Sequence, residues 1–468
     1  MHISNIRFGH ATNSSSYHSL VFLPDNQNPK DNYNMDGTFG WEFFTCFSQK
    51  AKEEYLATIL QTNLHRFDPQ VVNYIVSSLM PTTLYNPDGY IDHQSRIILP
   101  NKFGSDYIDE EFFFDLRNYI LQPNLAILGG NDNDEKSHPL ANGNFRLPLT
   151  DVYGEYTCRK DRINNEWVVF NKLIGTKIRF SFSKKTDFTT TTTKADAPEL
   201  VDVKITDYCP FNCEFCYQDS RPTGKDETKL GIYTLATIFS DLKVFEVALG
   251  GGEPTLSKNF AQIVETFYRK GVTPNFSTKN LDFFHDYRNY KILEMVGGVA
   301  VSIIPYDYHT VIPKLSAMLE YHNYPKHNIS FQTIVGTGGF THSSHIGYLM
   351  EHMNKFGFNK LTLLGSKPVG RAKGLPEQKI DKNFFSGIKT LSKKLWVNVG
   401  VDTKFIEMFN AEVKEEIPSV LYHEEEGKFS CYIDAVEGKI GASSYCEPLI
   451  DLPDRITSEV ILQHFKTF

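Results

Sequence analysis

A fourth cysteine is missing from the place where three others crowd together. Cys209-Pro-Phe-Asn-Cys213-Glu-Phe-Cys216 is a C-x3-C-x2-C run. The other cysteines of the chain's seven, Cys46, Cys158, Cys431 and Cys446, lie far from it. An odd total with three crowded together is poor disulfide arithmetic and good metal arithmetic. The start, Met1-His-Ile-Ser-Asn-Ile-Arg-Phe-Gly9, lacks the charged-then-apolar pattern of a secretory signal. Long apolar runs are missing too: stretches such as Val296 to Pro305 fall far short of a membrane span. There is no excess of positive charge, and a net charge of −8 argues against a large nucleic-acid footprint. No repeat of 20–50 residues is found. These absences point to a cytoplasmic protein with no membrane partner.

What is present suits a soluble protein of more than one domain. The chain has 468 residues, of which 41% are hydrophobic and 13% aromatic, enough for two or three cores. Residues 1–185 read as an α+β domain. Lys50–Gln61, Asp68–Met80 and Asp109–Leu121 have helical periodicity, with Asp68-Pro69 as a helix start. Glu166–Phe170 and Thr176–Phe182 read as strands paired about Gly175. Residues 186–198, with threonines from Thr189 to Thr193 flanked by charge and proline, read as a linker. From 199 to 375 strands alternate with helices: Leu200–Ile205, Val244–Leu249, Thr273–Phe276, Val299–Ile304, Ile329–Val335 and Lys360–Leu364. The helices fall between them, at Ile232–Leu242, Phe260–Lys270, Lys291–Met295, Val311–Tyr321 and His345–Phe356. Such alternation predicts an α/β fold, a parallel (β/α)6 partial barrel with its ligand site at the C-terminal strand ends. Residues 376–468 read as a small α+β extension: a helix over Asp381–Lys394, a strand over Trp396–Val401, a hairpin from Cys431 to Ala442, and a terminal helix.

The chemistry sits at those strand ends. Cys209 follows the first strand, and three thiolates so close can hold three corners of an iron–sulfur cube, leaving one iron open for a ligand. The alternative is structural zinc, which needs four closed ligands and would have to recruit Cys431 or Cys446. After the second strand comes Gly250-Gly251-Gly252-Glu253-Pro254-Thr255. Adjacent glycines admit a ligand close to backbone, Glu253 offers a carboxylate or its carbonyl, and Pro254 fixes the turn. Alone, such a segment is a plain turn. Next door to the cysteine loop it reads as a ligand site.

With both motifs the chain resembles the radical S-adenosylmethionine (SAM) superfamily over about residues 199–370. The match rests on Cys209, Cys213 and Cys216 with Phe215 in the aromatic place of the C-x3-C-x-aromatic-C motif. It rests also on Gly251, Gly252, Glu253 and Pro254 in the place of GGEP. The resemblance implies one [4Fe–4S] cluster on the three cysteines, SAM chelating the fourth iron, and the GGEP backbone receiving its amino group. It implies further contacts to SAM from Ser277, Lys279 and Asn280 after the third strand and from Ser302 on the fourth. Arg371, in Gly370-Arg371-Ala372 after the sixth strand, completes the implied set. For each of these the alternative is a polar strand end in solvent.

The tail resembles the hairpin of the cysteine-rich C-terminal domain in peptide-maturing members. Only Cys431 and Cys446 are present there, and an auxiliary cubane needs about four thiolates. The expectation is a hairpin without a cluster, closing the barrel mouth, with Cys46 and Cys158 as ordinary buried thiols. The segment from Gly9 to Ser19, with Asn13-Ser14-Ser15-Ser16, faintly resembles a serine-rich N-terminal signature of phage and bacterial proteins. It reads as a cap or polar loop feeding a strand at Leu20–Leu23. Gly129–Asp134 reads as a turn, because calcium-loop spacing is absent.

The implied activity is reductive cleavage of SAM to a 5′-deoxyadenosyl radical, which abstracts hydrogen from a substrate. A low-potential donor of flavodoxin or ferredoxin type is the implied partner. A peptide or protein substrate is favoured by the hairpin and by Gly370-Arg371-Ala372. A small metabolite or nucleotide is the alternative, and a non-catalytic iron–sulfur sensor is the alternative from another class.

Overall fold

The computed structural model describes residues 193–468 apart from 396 and 418–421. Nearer the start it describes 2–7, 19–22, 30–63 apart from 35 and 41, 68–80, 83, 86–91, 114, 116–118, 120–121, 125–129, 156–172, 175 and 177–181. The Asn13–Ser16 segment, residues 130–134 and the threonines at 189–192 lie outside the described residues, as does most of the helix expected over 109–121.

The N-terminal region is α+β. Strands β1 (His2–Arg7), β2 (Ser19–Phe22), β3 (Thr38–Phe39) and β4 (Phe44–Cys46) precede helices α1 (Gln49–Asn63) and α2 (Pro69–Leu79). Strands β5 (Tyr90–Ile91), β6 (Leu125–Gly129), β7 (Tyr156–Asp161), β8 (Glu166–Asn171) and β9 (Lys177–Ser181) follow. They form sheets ordered β1-β9-β8-β7, β2-β6-β4 and β3-β5. Helix α2 starts where Asp68-Pro69 predicts: the Asp68 carboxylate accepts from the Gln70 N–H at 2.8 Å, and Pro69 takes the first turn. Strands β8 and β9 pair antiparallel about Gly175.

From Leu200 the expected alternation is realised. The order is β10 (Leu200–Thr206), α3 (Ile232–Asp241), β11 (Glu246–Gly251), α4 (Phe260–Arg269), β12 (Thr273–Thr278), α5 (Tyr290–Leu293), β13 (Val299–Ser302), α6 (Tyr308–Tyr321), β14 (Ile329–Val335), α7 (Ser343–Lys355) and β15 (Lys360–Gly365). The strand and hairpin expected in the extension join the same sheet. After α8 (Phe384–Leu395), β16 (Asn398–Val401) adds parallel to β15. After α9 (Thr403–Met408) and α10 (Asn410–Glu416), β17 (Ser430–Asp434) adds parallel to β10 at the opposite edge. Strands β18 (Lys439–Gly441) and β19 (Ile450–Asp451) continue antiparallel, and α11 (Ser458–Thr467) ends the chain. The full order is β16-β15-β14-β13-β12-β11-β10-β17-β18-β19. The tail hairpin thus lengthens the sheet beside β10, and Tyr432 and Ser444 of the tail line the cavity. Alternation is the reason: Cys431 and Ile433 join the core, while Tyr432 and Asp434 stand in register with Asp202 and Lys204 on the other face.

The two faces of the sheet differ. One face carries Val201, Val203, Ile205, Val247, Leu249, Val299, Val301, Phe331, Leu361 and Leu363, all buried in the main hydrophobic core with residues of the helices. The other carries Asp202, Lys204, Ala248, Gly250, Ser277, Ser302 and Gln332, small or polar side chains that leave space between them. A barrel filled by branched side chains would have no such space.

The N-terminal sheet meets this unit at the strand starts, away from the C-terminal ends. Arg179 pairs with Asp161 at 2.6 Å, with Glu166 at 2.9 Å and with Glu199, which also receives Lys177. Arg159 donates to the carbonyls of Ala197, Pro198 and Leu242, and Phe170 stacks on Phe245. The described end of the expected linker is packed: Ala195 is buried and its N–H donates to Lys428. Cys46 and Cys158 are fully buried thiols.

Candidate functional site

The loop after β10 is pinned before any ligand arrives. Asp207 N–H donates to Lys225, Cys209 N–H to Arg221, and Arg221 N–H back to Asp207. Two successive tight turns present the cysteines, with Cys216 N–H donating to Cys213 and Asp219 N–H to Cys216. Asn212 and Asp219 take positive φ there, which short polar side chains tolerate. Arg371 clamps the loop from the far side. Its Nε donates to the Cys213 carbonyl at 3.0 Å, its Nη1 to the Ser220 carbonyl at 2.7 Å, and its own N–H to the Cys216 carbonyl. Phe215 packs on Gly338, where a Cβ would stand 2.4 Å from the ring. All three cysteines remain partly exposed and line the cavity described below. Burial raises the Cys209 thiol above its ordinary value, only partly opposed by the Phe211 N–H, so a metal must displace its proton.

The glycine turn after β11 is zipped to the start of the cysteine loop. Gly252 N–H donates to Thr206 at 2.7 Å and Glu253 N–H to Tyr208 at 2.8 Å. A Cβ on Gly252 would lie 2.1 Å from the Tyr208 carbonyl; one on Gly251, at φ +107°, would lie 2.4 Å from that of Thr206. Loop-to-loop contact therefore demands both glycines. Gly250 is different, since nothing lies within 4 Å of where its Cβ would be, and it opens on the cavity. The Glu253 carboxylate is spent on the frame. It accepts from Thr255 Oγ1 and Thr278 Oγ1, each at 2.7 Å, and from the Lys279 N–H at 2.9 Å. What the turn offers a ligand is backbone and room.

One cavity of about 450 Å³ joins these parts. Cys209, Cys213, Phe215, Cys216, Gly251, Gly252, Glu253, Ser277, Lys279 and Ser302 all line it. Pro254, Asn280 and Arg371 do not. Pro254 is buried at the start of a tight turn. Asn280 bonds Thr255 and caps the Leu281–Phe284 turn through the Asp282 N–H. Arg371 is the clamp just described. Ser277, Gln332 and Ser302 form a hydrogen-bonded row, with Ser277 Oγ donating to Gln332 Oε1 at 3.3 Å and Gln332 Nε2 to Ser302 Oγ at 2.8 Å. A second cavity of about 500 Å³ shares Phe215, Tyr217, Ile334, Leu364 and Lys367 with the first.

Sequence reasoning missed Asp202, Lys204, Gln332, Lys367, Asp402 and Tyr432 on the cavity wall. A signal was there: Val201-Asp202-Val203-Lys204 puts a charge at every second place of a strand expected to be covered on both faces. Each lining lysine is already ion-paired: Lys204 with Asp207 and Asp434, Lys279 with Asp307, Lys367 with Asp402. Among the described residues Asp202 has no such partner, and burial, opposed by Lys367 and assisted by Glu426 and Glu246, pushes its carboxyl up to about 6. Cys431 is buried in β17 and Cys446 touches Ser443 Oγ at 3.0 Å.

The donor set fits a thiolate-held cluster, with three partly exposed cysteines on one clamped loop and open space at Gly250 on the same cavity. Among the described residues no three His, Cys, Asp or Glu side chains are gathered to hold a single ion; a cube binds each thiolate on a separate iron. No described helix is long and apolar enough to cross a membrane.

Residues 203–330 match the family model of the radical SAM superfamily, whose members use a [4Fe–4S] cluster and SAM. The chain is 40% identical over 68 residues to a GTP 3′,8-cyclase of Haemophilus ducreyi, covering 14% of this chain and 20% of that protein. It is 34% identical over 70 residues to the GTP 3′,8-cyclase of Psychromonas ingrahamii, covering 14% and 21%. The chain thus spans about a fifth of the length of the curated relatives it matches. Among solved structures, Streptococcus suis SuiB bound to precursor peptide SuiA aligns with a TM-score of 0.44 at 12% identity, covering 57% of this chain and 65% of that one. Methylornithine synthase (PylB) aligns with a TM-score of 0.31 at 13% identity, covering 44% and 72%.

Proposed function

Residues 203–330 of this chain are a radical SAM domain, and on that premise we propose that the protein is an enzyme abstracting hydrogen from a peptide or protein substrate. Cys209, Cys213 and Cys216 hold its single [4Fe–4S] cluster, and SAM binds in the adjoining cavity. The observation that carries this reading is that the cysteine loop and the glycine turn, from successive strands, open on one cavity. When bound, cluster and SAM supply a low-potential electron and a 5′-deoxyadenosyl radical. An external donor of flavodoxin or ferredoxin type provides the electron.

The chain's own part is placement. Arg371 and Phe215 fix the cysteine loop, Glu253 fixes the glycine turn, and Gly250 leaves room beside them. Ser277, Gln332 and Ser302 present polar groups along the inner face. The apolar outer face under its helices keeps bulk water from that side, as so reactive a species requires. The second cavity, reached past Phe215 and Lys367, supports a chain-like substrate.

A small metabolite or nucleotide is the second reading, supported by the short match to GTP 3′,8-cyclases. It ranks lower because every lysine lining the cavity is already paired with a carboxylate, leaving none of them free for a polyphosphate.

Anaerobic reconstitution tests the proposal. We expect iron and acid-labile sulfide in the purified protein, and 5′-deoxyadenosine on incubation with dithionite and SAM. A protein that holds a cluster yet makes no 5′-deoxyadenosine, indistinguishable from Cys213→Ala, would be the non-catalytic sensor instead.

A further inference from the structure

We propose that Asp202 is a specificity residue that receives the cationic side chain, lysine or arginine, of the substrate, provided that residues 203–330 act as proposed above. Asp202 lies on the inner face of β10, in register with Ala248 of β11 and Tyr432 of β17. It lines the cavity shared by the cysteines and Gly250. The cations facing it are engaged elsewhere. Lys204, on its own strand, pairs with Asp207 and Asp434. Lys367, from the segment after β15, pairs with Asp402 at 3.2 Å and sits over the rings of Tyr217 and Tyr445; its charge also favours the Asp202 carboxylate but is outweighed by burial. Glu246 and Glu426 add negative potential. A carboxylate withdrawn from bulk water with no ion pair is costly unless a partner arrives, and the partner that suits it is a cation bearing N–H donors.

Depth selects the kind of cation. Asp202 is two residues below the Lys204–Gly250 row, roughly 7 Å along the strand. The methylene stem of a lysine or arginine covers that distance while its body stays near the mouth.

The test uses the reconstituted full-length protein and titration calorimetry with three probes. Nα-acetyl-arginine amide is a peptide-like cation, Nα-acetyl-citrulline amide its neutral near-isostere, and agmatine a free cation without peptide groups. We expect the arginine probe to bind about tenfold tighter than the citrulline probe, and Asp202→Asn to abolish the difference while keeping the wild-type thermal midpoint or raising it. Agmatine binding as tightly as the arginine probe would assign the cation to a free amine or guanidine. Equal binding of the arginine and citrulline probes, binding of neither, or an unchanged preference in Asp202→Asn overturns the inference. Formation of 5′-deoxyadenosine by the wild type is measured in parallel. If it is absent, the enzyme reading itself falls; if it is present without an arginine preference, only the role of Asp202 falls.

Discussion

Gly250, Gly251 and Gly252 stand side by side for different physical reasons. Gly252→Ala pushes a methyl to within 2.1 Å of a backbone carbonyl, and we expect a loss of about 1–3 kcal/mol in urea unfolding. Gly250→Val places a Cβ with no protein atom within 4 Å and gains strand propensity, so stability should change by less than about 1 kcal/mol. Its side chain enters the cavity, and SAM affinity of the reconstituted protein, read by equilibrium dialysis, should fall about tenfold or more. Equal SAM binding by wild type and Gly250→Val would mean that the ligand does not use this space. Arg371 acts at the same scale as a positioning residue. Arg371→Lys loses the forked grip on the Cys213 and Ser220 carbonyls. The expected outcome is less iron retained per chain and an altered electron paramagnetic resonance line shape, with urea stability within about 1 kcal/mol of wild type.

At the scale of elements, the site is a joint between loops. The turn after β11 hangs on the loop after β10 by two backbone hydrogen bonds and on the end of β12 through the Glu253 carboxylate. Glu253→Gln keeps the length of the side chain but turns one acceptor into a donor, and one of the Thr278 and Lys279 donors then loses its partner. A cost of about 1–3 kcal/mol follows, measurable by urea unfolding. A negligible cost would show that the Glu253 carboxylate does not frame the turn. Strand β17 belongs to the same joint. By covering the edge of β10 it brings Tyr432 to the cavity wall beside Asp202 and sets Asp434 against Lys204.

For the molecule as a whole, the N-terminal sheet is tied to the strand starts by a buried ionic network centred on Glu199. Burial alone would raise the Glu199 carboxyl, but Lys177, Arg179 and Arg159 outweigh it and hold it at about 2, below its ordinary 4.5. A depressed carboxyl stabilises the fold fully above its unfolded value and loses that contribution as pH falls through the folded one. Stability should therefore drop between about pH 4.5 and 2. Glu199→Gln strands buried cations, and we expect a loss of about 3–5 kcal/mol at pH 7 that shrinks towards pH 2. Urea midpoints across that range check it. A constant gap between variant and wild type would place the titrating group elsewhere.

The sequence by itself determined the alternation from Leu200 to Gly365 and the two motifs, because both are local. A 3.6- or 2-residue period, a cysteine spacing and a glycine run are written along a few residues, and the strand ends follow from where each run stops. It was silent on what depends on partners far along the chain. Arg371 reads as a cofactor contact until the fold brings it against the carbonyls of Cys213 and Ser220. Asn280 reads as a ligand until its side chain is found capping a turn. That the hairpin from Cys431 pairs with β10 shows only in the fold. Asp202 shows in the sequence as a charge in a largely apolar strand, with nothing to say which groups surround it. Only the tertiary structure, by pairing the lysines of the cavity wall with other carboxylates, left Asp202 without an ion pair among the described residues, because ion pairing depends on distances in space that spacing along the chain does not record.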